Sequence, residues 1–139
     1  MELVQRHQSE ERAKMEAALS HAQGDAAKTM AGIEKWASTT NSDPGFAVLA
    51  TELQLQALRS PSFAQGYNDL NRKHRRALGT LVTRLFELFG NKPPADPVEN
   101  ATAFIALGRG MALMSKEGET NRSGRIVVTF LKALIGSAP

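Results

Sequence analysis

Hydrophobic residues recur along this chain in steps of three and four, the period of a helix with one buried face. The pattern divides into six segments, at roughly residues 3–22, 26–39, 44–59, 61–89, 97–116 and 123–135. In the first, Val4, Met15, Ala18, Leu19 and Ala22 share one side, and Gln, Arg, Glu and Lys crowd the other. The second keeps Ala26, Met30, Ile33 and Ala37 in register, and the third keeps Phe46, Leu49, Ala50, Leu53 and Ala57. The fourth is the longest, with a stripe of Phe63, Tyr67, Leu70, His74, Leu78, Leu81, Leu85 and Leu88. No stretch alternates with a period of two. The best strand candidate, Ile126 to Phe130, is β-branched but lacks a partner and reads as helix. The expected fold class is all-α, with six helices in a single domain over residues 1–139.

Local signals agree with these boundaries. Asp43-Pro44, Ser60-Pro61 and Asp96-Pro97 each place a capping side chain before a proline, whose fixed φ suits the first helical position. Glu99 follows Asp96 at capping-box spacing. Gly24, Gly90, Gly118 and Gly136 stand where helices should stop.

The last two helices carry too much apolar surface for a domain of this size. The fifth has Phe104, Leu107, Met111 and Met114 on one face and Ala101, Ile105, Gly108 and Ala112 on another. The sixth carries Ile126, Val127, Phe130, Leu131, Leu134 and Ile135. This surplus predicts a homodimer through a four-helix interface, with Gly108 and Gly110 allowing close approach. A central position for both helices in a monomer is the competing reading.

Candidate chemistry is sparse. Tyr67, Asn71 and His74 fall on one inward arc of the fourth helix, among Phe63, Leu70 and Leu78. Polar groups in an apolar surround are the general form of a small-molecule site. Trp36, Phe46, Met111 and Met114 can line the same space, and simple core packing is the competing account. Such a pocket suits an uncharged or weakly polar organic molecule, with an acidic group an option if His74 is protonated. His7 and Glu11 stand one turn apart, a spacing that can share a metal but is common by chance; Glu10 and Glu11 read as a solvated face. No metalloprotease, phosphate-loop or serine-hydrolase motif is present, so no enzyme and no cofactor is expected.

Composition narrows the class further. With 42% hydrophobic and 22% charged residues the chain is globular rather than disordered. It has no cysteine, which excludes disulfides, thiolate metal sites and a cysteine nucleophile, and fits a cytoplasmic location. No apolar run is long enough for a transmembrane helix, so no membrane partner is expected. The net charge of +3 permits nucleic-acid contact. The basic run Asn71 to Arg76 is its strongest cluster, but no aromatic residues alternate with it, and Arg72, Arg75 and Arg76 read as an outer helix face.

In order and texture the segments resemble the C-terminal domain of TetR-type transcriptional regulators. The resemblance rests on Leu49 to Phe63, an acidic, apolar helix ending in Ala57-x-Arg59-x-Pro61. It rests also on the Tyr67–Leu78 helix and on the glycine-bearing stretch Phe104 to Leu113. It implies a homodimer on the last two helices, with Phe104, Ile105, Gly108, Ala112, Phe130 and Leu134 in the interface. It also implies a pocket for a small organic effector, lined by Trp36, Phe46, Leu49, Leu53, Tyr67, Asn71, His74 and Met111. In that family an N-terminal helix-turn-helix headpiece binds DNA. Here the chain opens at Glu2 to His7, directly in the helix that would follow the headpiece. The expectation is a regulatory domain that dimerises and binds an effector but does not grip an operator by itself. It would be either a fragment of a longer regulator or a stand-alone domain. The alternative is a ligand-free helical interaction module that pairs with a full-length regulator.

Overall fold

The computed structural model describes residues 2–39, 44–114 and 121–137, with the side chains of 36–39, 44, 121–124 and 137 outside the description. It is all-helical over those residues. The helices are α1 (Glu2–His21), α2 (Ala26–Thr39), α3 (Pro44–Arg59), α4 (Pro61–Leu88), α5 (Pro97–Met114) and α6 (Asn121–Ser137).

Several boundaries have visible causes. Ser60 caps α4 in an extended conformation and accepts from Phe63 N–H at 3.4 Å, with Pro61 at the first helical position. Asp96 accepts from Val98 N–H at 2.9 Å at the start of α5, and Asp25 does the same for Lys28 N–H at the start of α2. The end of α4 is a Schellman motif. Gly90 takes a φ of 74° and donates to the Glu87 carbonyl, while Asn91 donates to the Phe86 carbonyl. Gly24 has a φ of 82°, but the left-handed backbone after α1 begins one residue earlier, at Gln23. Gly136 does not stop α6, which runs on to Ser137. Asp43 and Gly118 lie outside the described residues.

α4 forms the spine, packed against α1, α3 and α5, while α6 lies against α2 and α5. The hydrophobic core joins α1, α2, α4 and α6. There Met15, Leu19, Met30 and Ile33 meet Leu81, Val82, Leu85 and Phe86 of α4 and Val128, Leu131 and Ile135 of α6. The spacing of these residues on α4 places them on two adjacent faces, so the second half of this helix is covered more broadly than one stripe requires. At Gly79 the backbones of α4 and α5 meet: a Cβ there would lie 2.5 Å from the Pro97 carbonyl oxygen. Ion pairs Glu16–Arg84 and Glu34–Lys132 fasten α1 to α4 and α2 to α6 on the outside.

Part of the apolar surface of α5 and α6 is left open in the single chain. Leu113, Met114, Phe130 and Leu134 are exposed, Met114 to 84% and Phe130 to 53%. Gly108 faces α6 of its own chain, where a Cβ would touch Val127 Cγ2 at 3.5 Å, and Gly110 has nothing within 4 Å. Among the described residues no helix is long and apolar enough to cross a membrane.

Candidate functional site

Bordering the core, and sharing Met15, Ile33, Val82, Leu85, Val128 and Leu131 with it, is a cavity of about 230 Å³ to which every one of the six helices contributes. Its apolar lining includes Met15, Ile33, Leu78, Val82 and Leu85, together with Val127, Val128 and Leu131 of α6. The polar side is formed by His7, Gln8 and Glu11 of α1, Asn71, His74 and Arg75 of α4, Gln54 of α3 and Arg109 of α5. A water-accessible space of this kind, apolar with a few convergent polar groups, is the usual form of a small-molecule site.

The polar groups are organised by donor and acceptor logic. Asn71 Nδ2 donates to the Tyr67 carbonyl at 3.1 Å, which turns its Oδ1 toward α1. Gln8 Nε2 donates to that Oδ1 at 3.0 Å. Gln8 Oε1 is then left buried without a hydrogen-bond partner among the described residues. One turn along each helix, Arg12 Nη1 lies 2.7 Å from His74 Nδ1. A guanidinium only donates, so Nδ1 must accept and the imidazole proton resides on Nε2. Burial, followed by the charges of Arg12, His7, Arg109 and Arg75, lowers the His74 pKa from the usual imidazole value to about 4. His74 is therefore neutral at pH 7 and offers its Nε2–H as a donor. Burial raises the Glu11 pKa, and its carboxylate approaches His7 Nε2 to 3.9 Å.

A second hollow of about 360 Å³, more open to solvent, lies beside the first and is lined by Leu3, Arg6, Glu10, Gly45 and Leu49 together with His7 and Phe46. His7 and Phe46 belong to both spaces. Their rings stack with centroids 3.7 Å apart, forming a shared wall.

Of the residues expected to bind a ligand, Phe46, Asn71 and His74 meet in the main cavity, and Leu49 lines the outer hollow. Tyr67 is buried behind them, donating from its hydroxyl to the Ala50 carbonyl at 3.2 Å and stacking on Phe63. Leu53 and Met111 are half-buried and line neither space. Trp36 stands on α2, but its side chain is outside the described residues. Of the residues expected at a dimer interface, Phe104, Ile105, Gly108 and Ala112 line the cavity within the chain, whereas Phe130 and Leu134 are exposed.

Gln8, Glu11, Arg12, Arg75 and Arg109 do not figure in the sequence-derived pocket. Glu11 and Arg75, read there as solvated helix faces, border the cavity instead. Their positions carry a signal. Gln8 and Glu11 continue the series Val4–Gln8–Glu11–Met15, Arg75 falls in Asn71–Arg75–Leu78–Val82, and Arg109 in Ile105–Arg109–Ala112. A polar residue holding a place in a buried register is a candidate for a site. Among the described residues no group of three or more His, Cys, Asp or Glu side chains could hold a metal ion. No protein-family model, curated protein or solved structure matches the chain.

Proposed function

We propose that this chain is a regulatory domain that binds a small organic effector in the central cavity and dimerises through α5 and α6, in the manner of a TetR-type C-terminal domain. The observation that carries this reading is the cavity shared by all six helices, lined mostly by apolar side chains with several hydrogen-bonding groups among them. It is roomy compared with a dry apolar cavity of about 150 Å³, which accepts benzene. α1 contributes His7, Gln8, Glu11 and Met15 to its wall. An occupant with different affinities for two placements of α1 would shift their populations, and a ligand indifferent to them would shift nothing. In this reading α1 is the element that transmits the signal to a DNA-binding headpiece, and the site binds without catalysing.

The exposed Leu113, Met114, Phe130 and Leu134 favour the dimer part of the reading, since they prolong the apolar surface of α5 and α6 outward. They are equally the basis of the second reading, a helical interaction module with no ligand. Native mass spectrometry of the purified chain separates the two. A dimer carrying additional small-molecule mass supports the effector domain, and a dimer that no compound in a broad ligand screen stabilises supports the module. A monomer at micromolar concentration overturns both.

A further inference from the structure

The cavity holds more positive charge than its packing requires. Arg75 and Arg109 both line it, and among the described residues neither has a carboxylate within ion-pair distance. Two other arginines of α4 are engaged, Arg72 with Asp69 and Arg84 with Glu16, while Arg76 is exposed to solvent away from the cavity lining. Arg75 and Arg109 also lie near enough to His74 to oppose its protonation. The imidazole meets the cavity as a neutral N–H donor, because Arg12 fixes its tautomer from behind. Among the described residues Glu11 is the one acidic side chain on the wall, and burial makes it easier to neutralise than an exposed glutamate.

Two guanidinium groups and a neutral N–H, set against an apolar wall, complement a particular chemistry. A guanidinium offers paired donors that match the two oxygens of a carboxylate, and such charge-assisted bonds are about twice as strong as neutral ones. A neutral apolar occupant would instead displace water from both arginines and return nothing to them. We propose that the cavity takes a small organic monocarboxylate, its apolar body against Val82, Leu85 and Leu131 and its carboxylate between His74 Nε2, Arg75 and Arg109. The volume of about 230 Å³ suits one aromatic ring or a medium alkyl chain beyond the acid. This inference rests on the small-molecule reading above and names the ligand class that reading leaves open.

The test pairs acids with alcohols of the same body. Hexanoate, octanoate and phenylbutyrate are titrated calorimetrically into the full chain at pH 7, beside hexanol, octanol and phenylbutanol. The acids are expected to bind roughly tenfold or more tightly than their alcohols. Arg75→Gln combined with Arg109→Gln should abolish that preference, so that acid and alcohol bind alike. Both side chains are partly exposed, and a thermal melt by circular dichroism verifies that the double variant folds. Lysine at both positions should restore part of the preference, since charge remains while the paired-donor geometry is lost. Alcohols that bind as well as the acids overturn the carboxylate assignment and leave a small-molecule site standing. An acid preference that survives the double glutamine variant overturns the placement of the carboxylate. Failure of both series to bind up to their solubility limits overturns the small-molecule reading itself.

Discussion

His74 couples the polar network to pH. Its folded pKa of about 4 is depressed relative to the ordinary imidazole value of 6.5. Between those values the unfolded chain binds the proton and the folded chain does not. Stability is therefore greatest above about pH 6.5 and falls as pH drops toward 4, by roughly 2–3 kcal/mol over the full interval. Glu11, with its raised pKa, works in the opposite sense near the acid end. Urea midpoints across this range should decline with acidification in the native chain and decline much less in His74→Gln, whose amide can still accept from Arg12. A second prediction concerns the bonded amides. Gln8→Ala strands Asn71 Oδ1 in the interior and should cost about 1–3 kcal/mol. Replacing both amides with leucine should cost less than the sum of the single changes. The sequence pattern places Asn71 and His74 on an inward arc, as found, but not their partners. Gln8 and Arg12 lie more than sixty positions away, and only the packing of α1 on α4 brings them together.

At the level of helices, the chain's order is legible because its signals are local. Proline after a capping residue at Ser60 and Asp96, and a left-handed glycine at Gly90, mark ends that the backbone needs no tertiary contact to make. What periodicity does not reveal is which helix covers which. Gly79 illustrates this: nothing in its surroundings on α4 distinguishes it, yet the Pro97 backbone lies where its side chain would be. Intrinsic helix preference alone would make Gly79→Ala stabilising by roughly 0.5–1 kcal/mol. The clash with a backbone carbonyl should reverse the sign, for a net loss of about 1–3 kcal/mol and a melting temperature lower by several degrees. A melt unchanged or raised by the substitution would show that α4 and α5 do not approach this closely. The apolar excess of α5 is likewise only partly resolved by neighbours within the chain. Phe104, Ile105, Gly108 and Ala112, grouped by the resemblance with a dimer surface, line the cavity within the chain, with Val127 of α6 lying against Gly108.

For the molecule as a whole, the proposed dimer makes a simple demand on Phe130. It is exposed in the single chain and contributes little there, so Phe130→Glu should leave the monomer's fold intact. In sedimentation equilibrium the native chain should have the mass of two subunits at micromolar concentration, and the variant the mass of one. The native melting temperature should also rise with protein concentration, as it does when assembly and folding are linked. A dimer undisturbed by the substitution would move the interface away from the α6 surface. The wall between the two hollows has a different kind of consequence, one of timing. His7 and Phe46, stacked with centroids 3.7 Å apart, both line the inner cavity and the outer hollow. In the effector-binding reading proposed above, passage of an occupant between the two hollows needs only a side-chain rotation, which is fast, and not separation of helices, which is slow. Trimming Phe46 to alanine should shorten the residence time of any bound molecule and speed its arrival, with the larger change in these rates than in their ratio. A domain that works in the proposed way then tracks a fluctuating effector concentration without loosening its helical bundle.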